Sequence, residues 1–216
     1  MSQKIIKTNV RQYLQSSYSA WIGFVATLII IVIFALLSPA EHSLGTHIRI
    51  VYLHGAWVWV SMAAFFIAAV CGAVALITGQ KTFHSWSRAF GRTGLFFWIT
   101  YLPLSLWAMQ ANWNGLFLAE PRWRFALVFA IAGILLQSGT SLMDKPAIAS
   151  IVNIAYFITM MAALSATTNV MHPASPILQS DAWRIQAYFF GLVLLALAAA
   201  WQMARWWYKG ELNCIQ

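Results

Sequence analysis

Charge is what this sequence has least of. Charged residues make up 8% of its 216 positions, against roughly 25% in soluble domains, and only five are acidic. That scarcity rules out an ordinary water-soluble globule. Cysteine is almost as sparse. Cys71 lies deep in an apolar run and Cys214 in the C-terminal tail, which argues against a disulfide between them, and neither has partners at metal-ligand spacing. There is no C-x-x-C-H motif, so the chain does not attach haem covalently to itself. The long apolar runs do not alternate, which argues against a transmembrane β-barrel. Internal repeats and low-complexity tracts are lacking as well.

What is present is length without charge. The chain is 61% hydrophobic, with a mean hydropathy of +0.71. Uncharged runs occupy 12–40, 50–80, 93–119, 125–143, 146–180 and 185–204, each of 19 residues or more. A bilayer-crossing helix needs about 20, and lipid leaves unpaired backbone groups without partners, which forces all-helical spanning. The expected fold class is all-α: a polytopic six-transmembrane-helix bundle forming a single domain over 1–216. Its approximate spans are 19–38, 51–77, 92–110, 125–142, 147–168 and 183–207. The apolar core Trp21 to Leu37 exceeds the roughly 7–15 residues of a signal-peptide core, so it is expected to be a retained first helix. Asp144-Lys145-Pro146 predicts a tight turn, with the proline at a helix start. Trp206, Trp207, Tyr208 and Lys209 suit an interfacial anchor.

Thirteen basic against five acidic residues give a net charge of +8. In a membrane protein such an excess belongs at cytoplasmic ends and fixes topology, so nucleic acid is not the implied partner; the lipid bilayer is. Against six spans, nine basic residues fall on one side: Lys4, Lys7, Arg11, Lys81, Arg88, Arg92, Lys145, Arg205 and Lys209. Arg49, Arg122, Arg124 and Arg184 fall on the other. Both termini are therefore expected to be cytoplasmic. On that topology His42, His47, His54 and His172 gather at the outer face, and only His84 is inner.

His54 stands in Tyr52-Leu53-His54-Gly55-Ala56-Trp57 at the outer end of the second span, with Trp57, Val58 and Ser61 on its helical face. An ionisable residue inside a span is a functional-site candidate; the alternative is a neutral histidine hydrogen-bonding between helices. His172 lies just past the fifth span, and Pro173 prevents the helix from simply continuing. It is either solvated in its loop or a partner of His54, since two imidazoles facing across a bundle can ligate haem iron axially. His47 is a weaker substitute ligand, and Met171 reads more readily as packing. Between spans three and four lie Trp113, Phe117, Glu120, Arg122 and Trp123. They form either an interfacial aromatic belt or an apolar shelf for a macrocycle, with Arg122 or Arg124 pairing its propionates. Glu120 is placed to form a local ion pair with Arg122.

Together these features resemble the CcmC-type haem-handling proteins of cytochrome c maturation. The likeness covers roughly residues 45–180. It is closest at Arg49-Ile50-Val51-Tyr52-Leu53-His54 with Ala56-Trp57, and His172 occupies the place of the family's second outer histidine. The family's tryptophan-rich pattern resembles Trp-Gly-x-Trp-Trp-x-Trp-Asp-x-Arg. Laid without gaps over Trp113 to Arg122, it keeps Trp113 and Arg122, sets Glu120 in the aspartate's place, and substitutes Leu116, Phe117 and Ala119 for tryptophans. Ala56 replaces a proline. The resemblance implies a non-enzymatic protein of the bacterial inner membrane with its site facing the periplasm. It would bind non-covalent b-type haem, as cargo or as a resident cofactor, through His54 and His172. Trp57, Trp113, Phe117, Glu120, Arg122 and Trp123 would shape the haem pocket or dock a partner. The implied partners are a periplasmic haem chaperone and ABC-type transporter subunits, and the implied role is delivery of haem for c-type cytochrome biogenesis. Two other readings stay open: a haem b-bearing membrane subunit of an electron-transfer complex, and a haem-free transporter or structural membrane subunit.

Overall fold

The computed structural model describes residues 17–40, 44–143, 145–168, 170–171, 177 and 182–213. Six long helices account for nearly all of them: α1 Ser17–Leu36, α2 Ile48–Thr78, α3 Lys81–Trp113, α4 Pro121–Met143, α5 Pro146–Ser165 and α6 Trp183–Asn213. No strand occurs among the described residues. Five of the six (all but α3) are long and apolar enough to cross a membrane. Their outward faces fit that solvent: Ile29 and Ile33 on α1, Leu135 on α4, Ile158 on α5 and Leu194 on α6 are all more than half exposed. A water-facing surface rarely carries so much contiguous apolar area.

The α2–α3 and α4–α5 turns are two residues each and the α3–α4 link seven, so α2 to α5 run alternately up and down. Gly79 ends α2 at φ 69°, with its N–H donating to the Ala75 carbonyl at 2.8 Å; a left-handed glycine closing a helix costs no Cβ clash. Gln80 alone separates it from α3. Asn114 ends α3 at φ 51°, a conformation in which asparagine is enriched. Pro146 opens α5 as expected; Asp144 lies outside the described residues. One end of the bundle therefore carries Gly79-Gln80, Lys145 and the end of α6. It is called the basic end below. The opposite end carries the starts of α2 and α4 and the end of α3.

The α2–α3 hairpin is the centre of the bundle, with α4, α5 and α6 around it and α1 leaning mainly on α6. Tyr52, Val60, Phe97, Met160 and Leu192 are fully enclosed in the main core. Small residues let the backbones close up. A Cβ on Gly94 would stand 2.8 Å from the Phe65 ring, and one on Gly72 only 3.0 Å from the Ser150 carbonyl oxygen. Lipid tails are as apolar as leucine, so such close approach and interhelical hydrogen bonds hold membrane helices together.

The largest departure from the expected spans is α3. It starts at Lys81 rather than near 92 and runs 33 residues, about 50 Å at 1.5 Å per residue. Its first three turns hold Lys81, His84, Arg88 and Arg92, which read as a loop in sequence. They form helix because Ser85, Ser87 and Thr93 are buried against neighbouring helices, so the polar side chains find partners inside the bundle. α6 likewise extends to Asn213, past the expected end at 207.

Candidate functional site

The sequence candidates His54, Glu120 and Arg122 lie at the end opposite the basic one, on α2 and at the start of α4. His54 sits in the second turn of α2, half-buried, with its ring centroid 4.9 Å from that of Tyr101 on α3 and the planes at 42°. The Tyr101 hydroxyl shares a hydrogen bond with Ser105, one turn on, and lies within electrostatic reach of both Glu120 and Arg122. Trp98 packs on the other side of Tyr101, centroid to centroid 5.4 Å. Tyr101 thus packs on His54 and lies within electrostatic range of Glu120 and Arg122. Sequence reasoning overlooked it. The available signal was its place near the end of an apolar run, in the segment facing the histidine.

Glu120 has a structural duty as well. It is buried, and its Oε2 accepts a 2.7 Å hydrogen bond from the Trp123 N–H, while the Glu120 carbonyl accepts from Arg124 N at 3.0 Å. It caps α4, with Pro121 at the first helical position where a missing N–H costs nothing. A local ion pair with Arg122 was the expectation; a cap is what this geometry provides. Glu120 Oε1 and Trp123 Nε1 are both buried and make no hydrogen bond among the described residues.

Trp57 is turned into the α2–α3 seam. Its indole N–H donates to Thr100 Oγ1 at 3.1 Å, and the Thr100 hydroxyl donates onward to the Phe96 carbonyl at 2.8 Å. The ring packs on Phe97 at 5.3 Å. Trp113 and Phe117 meet edge to face at 5.8 Å, and with exposed Trp107, Leu116 and Leu118 they give this end an apolar surface. His47 is exposed just before α2. His172 and His42 lie outside the described residues. On either side of His172, Met171 is exposed and Ile177 is buried in the main core.

The most extensive polar network lies at the basic end. Asn153 on α5 donates to the Ser87 carbonyl and hydroxyl at 2.9 and 3.0 Å and accepts from Gln137 on α4 at 2.7 Å. Ser87 in turn donates to the Ala68 carbonyl of α2 at 2.8 Å. His84 Nδ1 and Ser150 Oγ are 2.7 Å apart. Arg88 and Arg92 both pair with Glu211 of α6, at 3.0 and 3.2 Å, and Arg92 lies over the Trp207 ring. The sequence pointed to neutral interhelical hydrogen bonds at Asn153. The charged clamp went unread because Glu211 lies 123 positions from Arg88.

No group of three or more His, Cys, Asp or Glu side chains stands at metal-binding distance among the described residues. A cavity of about 210 Å³ lies between α2, α3 and α6, away from His54. Comparison with protein-family models, with curated proteins and with solved structures finds no match for this chain.

Proposed function

We propose that the chain is a six-span inner-membrane protein of the CcmC type, with both termini cytoplasmic, that handles haem at the outer face of the bilayer. The observation that carries this reading is the half-buried His54 ring set against Tyr101, with Glu120 and Arg122 within electrostatic range of the same tyrosine. α5 ends and α6 begins at that same end of the bundle, and His172 falls between them in the sequence. A planar macrocycle would lie against the edge of this end, where Trp107, Leu116, Phe117 and Leu118 are exposed. The residues there would suit a haem in kind: an imidazole nitrogen that could hold the iron, a guanidinium to meet a carboxylate, and exposed aromatics. His54 and His172 would hold the haem, which would supply the iron and be passed as cargo to a periplasmic chaperone alongside ABC-type transporter subunits.

The protein's own residues would do the following. His54 packs on Tyr101, which would hold the orientation of its ring. Arg122 brings positive charge to the same place. Glu120 fixes the first turn of α4, and so the position of Arg122 and Trp123.

The test is an absorption spectrum of the detergent-purified protein, oxidised and reduced. The wild type is expected to give a split low-spin haem spectrum that is lost in His54→Ala and in His172→Ala. If both variants keep the wild-type spectrum, the assignment fails; a colourless wild type after growth with ample haem removes haem from the account.

A further inference from the structure

We infer that Arg49 and Tyr188, at the end opposite the basic one, hold the phosphate of an anionic phospholipid from the leaflet there. The site does not rest on the haem reading. Arg49 precedes His54 by five residues, which is about 140° round α2. It lies within electrostatic reach of Tyr188 on α6, whereas His54 packs on Tyr101 of α3.

Three buried donors make no hydrogen bond among the described residues: Arg49 Nε in the first turn of α2, the Tyr188 hydroxyl in the second turn of α6, and Ser38 Oγ just past α1. The Tyr188 ring stacks on Phe34 of α1, with centroids 4.2 Å apart and planes at 11°. On its other contact it leans on the fully enclosed Tyr52 at 6.0 Å. Ser38 follows Phe34 by four residues and is 4% exposed. The bond from Leu37 N to the Ile33 carbonyl, at 3.1 Å, carries the helical turn on toward it, so Ser38 falls on the face that bears Phe34.

No described carboxylate answers Arg49. Glu120 caps α4, and Glu211 is held by Arg88 and Arg92 at the basic end. α2 adds the positive end of its own dipole, since His47 at its N-cap makes no side-chain capping bond. A guanidinium can only donate, and both hydroxyls can donate as well. Buried donors without acceptors cost free energy, and here they occur beside a cation and a helix N-terminus. The complement to that set is an anionic acceptor, and guanidinium and phosphate match in geometry as well as charge. Leu36 and Leu37, next to Ser38, are more than half exposed, so an apolar face for acyl chains leads to the donors. A water-soluble anion gains nothing from that face. An anionic lipid gains from both parts.

Native mass spectrometry of the whole chain, released from micelles with phosphatidylglycerol or phosphatidylcholine added, reads the site. One phosphatidylglycerol should be retained in preference to phosphatidylcholine. Arg49→Gln should weaken that retention by about fivefold. Tyr188→Phe keeps the ring on Phe34 and removes only the hydroxyl, and should weaken it by about tenfold. Arg124→Gln, which removes a charge at the same end but on α4, should change nothing. Equal retention of the two lipids by the wild type, unchanged retention in both site variants, or an equal loss in Arg124→Gln overturns the proposal. So does an Arg49-dependent adduct formed by inorganic phosphate and by no lipid, or loss of the lipid when the wild type is loaded with haem. Retention that appears only after Glu41→Gln and Asp181→Asn would place the chain's own carboxylate at Arg49, and sinks it too. Should Arg49→Gln fail to fold, Tyr188→Phe and the lipid comparison still decide the matter.

Discussion

At the scale of single residues, the bundle depends on a few places where a side chain is missing. A Cβ on Gly91 would stand 2.7 Å from Asn153 Oδ1 and 2.9 Å from Gln137 Nε2, in the middle of the network that links α2, α3, α4 and α5. Gly91→Ala must push that network apart, and overpacking of this kind costs about 1–3 kcal/mol; denaturant unfolding in mixed micelles would measure the loss. Asn153→Leu acts on the same network from the other side by removing its donors, and bonds of this class in membranes are worth about 0.6–2 kcal/mol each. Glu120 offers a cleaner separation of roles. Its cap needs an oxygen acceptor and its electrostatic role needs a charge. Glu120→Gln keeps the acceptor and should leave stability nearly unchanged, while Glu120→Ala loses about 1 kcal/mol. If haem absorption survives Glu120→Gln and falls only with Glu120→Ala, the residue serves the site by holding α4.

At the scale of helices, the sequence was most legible where a helix is apolar all round and least where it is not. The starts of α1, α2, α5 and α6 lie within three residues of the expected spans, because charge-free runs mark lipid-facing helices directly. The start of α3 was misplaced by eleven positions, since Arg88 and Arg92 signal a loop until their partner is known. That partner, Glu211, sits at the far end of the chain, and no local pattern connects the two. The candidate site divides the same way. His54 was legible as an ionisable residue in an apolar run, whereas Tyr101, an uncharged aromatic among many, was not. The clamp makes a prediction for α6. The Glu211 side chain is 7% exposed and that of Arg88 12%, so Glu211→Gln leaves two guanidinium groups without their counter-charge. Breaking such a pair costs about 3 kcal/mol. The last turns of α6 should then fray, seen as earlier proteolytic cleavage near Lys209 with the rest of the bundle protected.

At the scale of the whole molecule, the open quantity is whether α3 crosses the bilayer, and with it the side on which every later residue lies. Hydropathy alone places only five helices in the membrane, and five crossings would put the two termini on opposite sides. Packing argues for six. α3 leaves α2 after Gln80 and returns against it along its length, so if α2 spans, α3 is carried back across with it. Its mid-helix polar side chains Ser87, Thr93 and Ser105 are buried against protein, which is where a spanning helix can hold them at low cost. Six crossings also set Arg122 and Arg124 opposite Lys81 and Lys145, consistent with the basic excess at one side. Single cysteines at the two exposed turns of α3 decide it, in a background of Cys71→Ser and Cys214→Ser. Gln80→Cys and Asn114→Cys should react with a membrane-impermeant maleimide from opposite sides of oriented vesicles, the first from the cytoplasmic side and the second from the outer side. Labelling of both from one side would make α3 a re-entrant or surface helix. His54 would then face the same compartment as before, but the α5–α6 loop carrying His172 would lie across the membrane from it, and no haem iron could join the two histidines.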